Sequence, residues 1–387
     1  MDTQGGSESA TQADSKSEPI AQAQTQTDSH WNLIKVGDKD YVTVSNIADF
    51  YGLPSGSILS RESHTGNRLP ARFQMLSQDG REIFINGVRH WLVFPAIPQD
   101  GEVLVSRMDL VKSLEPILRP TNIRGLRRFT TVVLDAGHGG HDRGATGRYG
   151  AEKDFALATV KFLGPLLQAA GFEVVYTRTR DVFVTLEDRA RIANRTPNAI
   201  FVSVHFNAGQ SSAANGLEVF SLTPRGAPSS IDQTLRPQHM EAQPGNAHDN
   251  QSLILATAIH HSMLGYSSQL DRGVKRARFS VLARTRCPAV LVEGGFVTNL
   301  AEGRRIANRN WQRNLARSIA EGIISYHRLV DKGLPPKLAA EYRGRGREAE
   351  FLASRGHTTS QNGESSESTT RRSEPAPSID ITPGKTN

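Results

Sequence analysis

Residues 130–137 read TTVVLDAG, a run of β-branched and apolar side chains that stops on glycine. Such a run is the signature of a strand buried on both faces. The next segment, EKDFALATVKFLGPLLQAAG, spaces Phe155, Ala158, Phe162, Leu166 and Leu167 as one helical face and closes on Gly171. The pattern then repeats. FEVVYTRT predicts a strand, LEDRARIANR a helix, AIFVSVHFNA and GLEVFSL two more strands. After a polar loop, Thr223–Asn250, come the helix SLILATAIHHSML, the strand PAVLVEGGF and a final helix, Leu300–His327. Strands alternating with helices imply an α/β fold, a twisted and mostly parallel sheet with helices on both faces, over residues 130–329. Chemistry in such sheets gathers at the carboxyl ends of the strands.

Outward from this body, LRPTNIRGLRR marks a linker at residues 119–129. Residues 30–118 carry short apolar runs split by QDG, NG and PQDG, which predict a small α+β accessory module. Its clearest hairpin is Ile85-Asn86-Gly87-Val88, since Asn-Gly suits a type I′ turn. Residues 1–29 and 330–387 are rich in Ser, Thr, Gln, Arg and Glu and read as disordered tails.

Composition narrows the function classes. The chain has 387 residues, 46 Lys+Arg against 39 Asp+Glu, and 37% hydrophobic residues. No stretch approaches the ~20 apolar residues of a transmembrane helix. The first 29 residues show no apolar core of a secretory signal. Cys287 is the single cysteine, which excludes an internal disulfide and a cysteine-based zinc site. A metal would be held by His, Asp or Glu.

Three polar clusters fall at strand ends: Asp135 to Asp142, Ser203-Val-His205-Phe-Asn207, and Val292-Glu293-Gly294-Gly295. Glu152 opens the helix after the first strand and can reach back toward His138. Two histidines and two carboxylates from separate elements are the parts of a catalytic zinc site, which leaves one metal position open for water. Each residue also has an ordinary reading. Glu152 suits the first turn of a helix through the helix dipole, and Asp135 would bond backbone to shape the glycine-rich loop. Glu293 is harder to explain that way, because a carboxylate ending a buried strand is expensive without a partner. His141, His239, His248, His260 and His261 read as surface or loop histidines. GHGGHDRGATG lacks the spacing of a phosphate loop, and the basic residues show no nucleic-acid fingerprint.

Together, VVLDAGHGGHDRGATG, AEKDFALA, VTLEDRARIAN, IFVSVHFNA, DRGVKRARFSVL, CPAVLVEGGFVTN and the last helix resemble the zinc-dependent N-acetylmuramoyl-L-alanine amidases of the amidase_3 type. The resemblance runs in order over residues 131–328. It implies a bacterial cell-wall hydrolase or autolysin that cuts the amide between N-acetylmuramic acid and L-alanine of peptidoglycan. By the same resemblance His138, Glu152 and His205 would hold Zn²⁺, and Glu293 would act as general base and then acid. Asn250, Arg276 and Arg278 stand in family-like stretches and are candidate substrate contacts. The Thr223–Asn250 loop, where some relatives carry a regulatory helix, would form a mobile rim of the groove. Residues 78–119 resemble the N-terminal modules named after copper amine oxidases, which suggests a structural or wall-binding role. The implied location is periplasmic or extracellular. A zinc peptidase or deacylase acting on another amide, and a non-catalytic wall-binding protein, are the alternatives.

Between Thr131 and Arg328 there are 23 Lys+Arg and 16 Asp+Glu, so the whole excess of seven charges lies in this body. A cationic body is drawn to an anionic polymer such as peptidoglycan, and salt weakens that attraction.

Overall fold

The computed structural model describes residues 25–28, 31–53, 73–75, 80–232 and 234–343. The tails expected at 1–29 and 330–387 lie mostly outside the described residues. A nine-stranded sheet organises the fold. Its strands are β1 (Phe73–Met75), β2 (Glu82–Ile85), β3 (Val88–Trp91), β4 (Thr131–Ala136), β5 (Glu173–Tyr176), β6 (Ala199–Asn207), β7 (Leu217–Leu222), β8 (Asp271–Ala277) and β9 (Ala289–Phe296). In space the order is β5-β4-β6-β9-β7-β8-β3-β2-β1. The pairs β5–β4, β4–β6, β6–β9 and β7–β8 are parallel, whereas β7 runs antiparallel to β9. The sheet is therefore mixed, with a mostly parallel centre. Every residue of β4, β7 and β9 is buried, which is why these strands read as continuous apolar runs rather than alternating ones.

Helices cover both faces: α1 (Glu152–Ala169), α2 (Leu186–Arg195), α3 (Asp249–Tyr266), α4 (Ser280–Arg284), α5 (Leu300–Ile306) and α6 (Arg309–Lys332). One large core contains Val132, Leu134, Val202, Val204, Val290 and Val292 of the sheet with α1, α3 and α6. A second core lies on the opposite face, where Val133, Phe201, Phe220 and Leu291 meet Val281 and Leu282. The buried face of α1 is Phe155, Ala156, Thr159, Val160, Leu163 and Leu167. The face expected from sequence is thus rotated: Ala158, Phe162 and Leu166 are only half-buried, and Phe162 lies under the guanidinium groups of Arg309 and Arg313. Cations over an aromatic face keep such a ring at the surface at little cost.

Three further expectations need correction. The last helix is two helices, because the Asn308 side chain caps a fresh start at Asn310 and Trp311. Residues 271–277 form a strand that the charges in DRGVKRA concealed. His260 and His261 are buried within α3, so neither is a surface or loop histidine, while His239 and His248 stand in the 223–250 loop as expected but are buried there. α3 is enclosed on all sides from Gln251 to Met263, which its charge-free sequence permits. It packs so closely on α6 that a Cβ at Gly322 would come within 2.4 Å of the Ile259 backbone.

The 82–91 hairpin has its expected turn, with φ of 54° at Asn86 and 77° at Gly87, the two positive values a type I′ turn requires. The hairpin joins the large sheet. Val274 of β8 pairs with His90 of β3 in parallel, Asp271 accepts from the Arg89 backbone N–H at 2.8 Å, and Trp91 donates to the Arg272 carbonyl at 3.0 Å. Other residues of the segment build a separate five-stranded sheet, including Trp31–Val36, Lys39–Thr43 and Glu102–Ser106.

Candidate metal centre

His138 leaves β4 with φ of 58°, a left-handed conformation unusual for a residue with a side chain. Two buried arginines hold the backbone there. Arg189 donates to the carbonyls of Ala136 and His138, both at 2.7 Å, and Arg178 donates to those of Ala136 and Gly137 at 2.8 and 2.7 Å. Asp135 anchors Arg189 at 2.6 Å while accepting from the Thr177 and Ser203 hydroxyls, each at 2.6 Å. Asp135 thus shapes the loop through an arginine rather than by bonding backbone itself. Burial alone would raise its carboxyl, but the Arg189 charge and the two hydroxyls hold it below the ordinary range.

Glu152, the first residue of α1, points at both histidines. Its Oε1 lies 3.1 Å from His138 Nε2 and 2.8 Å from His205 Nδ1. The ring centroids of the two histidines are 4.9 Å apart and nearly perpendicular. The three ligand atoms all lie within 4.8 Å of one another. Burial would raise the Glu152 carboxyl, yet hydrogen bonds and charge from His138 and His205 hold it well below the usual carboxylate range. Its oxygens also accept from the backbone N–H groups of Ala145 and Phe206, at 2.8 and 3.1 Å. Asp142 sits behind His138, 2.9 Å from Nδ1, and takes the Gly144 N–H at 3.0 Å. That leaves Nε2 of His138 free to face the cluster.

Glycine is required around this cluster. A Cβ at Gly137 would come 2.4 Å from the His205 ring, and one at Gly144 would come 2.6 Å from both Glu152 Oε2 and the His138 ring. Two imidazole nitrogens and the oxygen of one ionised carboxylate, converging from three elements, are the donor set of a catalytic zinc site with an open position. The residues present fit that ion.

Glu293 stands beside the cluster. It pairs in register with His205 across β6 and β9, and its Oε2 is buried without a hydrogen-bond partner among the described residues. Burial first, then the charges of Glu152 and Glu218, push its carboxyl well above the ordinary value against the pull of Lys275. A cavity of about 570 Å³ joins these groups, lined by His138, Glu152, His205 and Glu293 and bordered by Phe183, Leu186 and Phe279.

The other candidates sit elsewhere. Arg276 is fully buried and donates to the carbonyls of Leu222 and Lys112. Arg278 donates to those of Pro224 and Ala227. Asn250 is half-buried near the start of α3. None of the three lines the cavity, nor does any described residue of 223–250, which instead forms two short 3₁₀ turns and packs near Met108 and Lys112. Sequence reasoning passed over Arg178 and Arg189, and placed Asp142 in the first polar cluster without a role. Arg189 carried one signal, a cation on the side of a short helix that must face the sheet.

Residues 132–325 match Amidase_3, the N-acetylmuramoyl-L-alanine amidase family. The chain belongs to that family. Amidase_3 relatives include the N-acetylmuramoyl-L-alanine amidase AmiA of Escherichia coli K12, 33% identical over 222 residues that cover 52% of this chain and 77% of that protein. The endolysin of Bacillus phage SPP1 is 37% identical over 210 residues, 53% of this chain and 70% of the other. Among solved structures, an N-acetylmuramoyl-L-alanine amidase from Clostridium difficile 630 is 31% identical, covers 53% of this chain and 100% of its own, and superposes with a TM-score of 0.44. The matched range takes in His138, Glu152 and His205 of the candidate triad and the neighbouring Glu293. Among the described residues no helix is long and apolar enough to cross a membrane.

Proposed function

We propose that this Amidase_3 chain is a zinc-dependent peptidoglycan hydrolase that cleaves the amide between N-acetylmuramic acid and the L-alanine of the stem peptide. His138 Nε2, His205 Nδ1 and a Glu152 oxygen would hold the ion. When bound there, zinc supplies a Lewis acid that polarises a carbonyl and makes a nearby water acidic at neutral pH. The protein's own groups do the rest. Glu293 removes a proton from the attacking water as the water oxygen bonds to the lactyl carbonyl carbon, and delivers that proton to the alanine nitrogen as the C–N bond breaks. Asp142 and the arginine-held loop keep His138 in one orientation.

The observation that carries this reading is the Glu293 carboxylate, buried beside the triad with an oxygen that no described residue bonds. In a digest of purified sacculi, Glu293→Ala should keep its zinc and lose hydrolysis, whereas His138→Ala and His205→Ala should lose both. Release of stem peptides at the wild-type rate by Glu293→Ala would sink the assignment. Products that retain the muramoyl–alanine bond would favour the peptidase or deacylase reading, and binding to sacculi without metal-dependent release would favour a wall-binding protein. With this substrate the working location is outside the cytoplasmic membrane, periplasmic or extracellular. The N-terminal segment, with its likeness to copper-amine-oxidase-type modules, then acts as an accessory to the catalytic body, a role supported by the pairing of β3 with β8.

A further inference from the structure

The sheet face that carries Glu293 continues past the cavity into charged and aromatic groups that the proposed chemistry leaves unused. Glu218 of β7 lies directly across from Glu293 of β9. Its side chain is 4% exposed, and a carboxylate so buried needs partners. Three donors converge on it: Asn207 Nδ2 at 2.6 Å, Lys275 Nζ at 2.6 Å and Arg272 Nε at 2.9 Å. Asn207 lines the cavity together with Glu293. An unbroken chain of contacts therefore leads from the cavity wall through Glu218 to two cations on β8.

Glu218 is bonded by both cations, and Lys275 also attracts Glu293, so Arg272 is the cation whose carboxylate partner is shared. The side chain of Lys275 is 11% exposed, but that of Arg272 is 32% exposed. Arg272 is fixed in place: its guanidinium lies 4.8 Å over the Phe296 ring, and NH1 reaches the Asn215 carbonyl at 3.3 Å. The N-terminal hairpin packs against the strand that carries both cations. Trp91 donates from its indole to the Arg272 carbonyl, and the Lys275 ammonium sits 5.1 Å above the Trp91 ring. One strand further on, Arg89 pairs with Glu82 at 2.7 Å and adds no net charge. Arg272 is the more exposed of the two cations on Glu218.

We propose that Arg272 and Lys275, gathered by Glu218 and braced by Trp91, form a subsite beside the cavity that reads a carboxylate of the stem peptide beyond the scissile amide. The inference rests on the amidase reading above. β8 lies two strands from β9, roughly 10 Å at the usual strand spacing, and an extended peptide advances ~3.3–3.6 Å per residue. The recognised carboxylate thus belongs to the residue two or three positions past the cleaved bond. The rival role for the two cations is neutralising Glu218, which needs no ligand and gives no preference among peptides.

The test measures binding by calorimetry to the zinc-loaded Glu293→Gln protein, with soluble N-acetylmuramoyl peptides that carry glutamate or glutamine at the second or third position. The glutamate ligand should bind about tenfold tighter, with the preference shrinking in high salt. Arg272→Gln in the same background should abolish the preference, and Arg272→Lys should retain part of it. Equal affinity for the two ligands, no binding of either, or an equal loss for both in Arg272→Gln would overturn the subsite. The ligand comparison needs no second substitution, so it decides the matter even where Arg272→Gln fails to fold. Wild-type digestion of sacculi runs alongside. Hydrolysis without ligand preference removes the subsite alone, and preference without peptide release removes the amidase reading alone.

Discussion

Asp135 and His90 are both buried on the same sheet, five strands apart, and their surroundings differ in kind. Asp135 accepts from two hydroxyls and one guanidinium. His90 has neither ring nitrogen bonded among the described residues, and it sits with His260 and His261 of α3 and Asp271 of β8. Of that group, Asp271 bonds His260 at 2.7 Å, and His261 accepts from the Ala339 backbone N–H at 3.1 Å. The contrast teaches where polar burial fixes a geometry and where it only survives while uncharged. A saturated network locks the loop that carries His138. In the seam between hairpin and catalytic body, His90 and His261 are stable as long as their rings stay neutral.

The harshest way to break the saturated end is Arg189→Met, which leaves Asp135 buried with no cation. Chemical denaturation should show a loss of about 3–5 kcal/mol. Adding Asp135→Asn in the double variant should recover part of it, since the orphaned charge is then gone. A milder break is Asp142→Ala, which frees the His138 ring to turn. Zinc affinity measured by competition with a chelating dye should fall about 10–100-fold while the melting temperature barely moves.

The histidine end breaks by acid. Burial, then the neighbouring His260, lowers the His261 pKa to about 3, and burial with His261 and His260 lowers that of His90 well below its ordinary value. These rings are neutral in the fold and charge readily once unfolded. Their contribution to stability is therefore intact above about pH 6.5 and drains away as pH falls from there toward 3, at roughly 1 kcal/mol per pH unit for each ring. His90→Phe should flatten the acid limb of a stability–pH curve. An unchanged slope would show that the seam is already opened to water. The smallest effect sharpens the first region: Thr185 accepts from the Asp188 N–H at 3.0 Å and caps α2, the helix that carries Arg189. Thr185→Ala should cost about 1 kcal/mol of stability.

How much of this was legible beforehand depended on the kind of signal. β4, β6 and β9 declared themselves because strands buried on both faces must be apolar throughout. The candidate triad His138, Glu152 and His205, with Glu293 beside it, stood out because polar groups at or near the carboxyl halves of buried strands, and one opening a helix, recur in a single α/β body. The face of α1 was misjudged because Phe162 looks like a core residue until Arg309 and Arg313, some 150 positions away in sequence, are folded over it. β8 was hidden by its charges, which make sense only once Glu218 is seen to need them. Arg276 and Arg278 looked like substrate contacts because they stand in family-like stretches, whereas both are spent on backbone carbonyls. Their carbonyl partners come from loops whose course no local pattern reveals.

The pairing of β3 with β8 has a practical corollary. In a fragment cut to begin near residue 130, β8 would become a sheet edge, with the N–H and C=O groups that now face His90, Arg89 and Trp91 left open to any passing strand. Arg276 would lose the Lys112 carbonyl at the same stroke. Such a fragment is expected to self-associate through that edge, and a charged residue or proline placed at the outward positions of β8 is the remedy to try first.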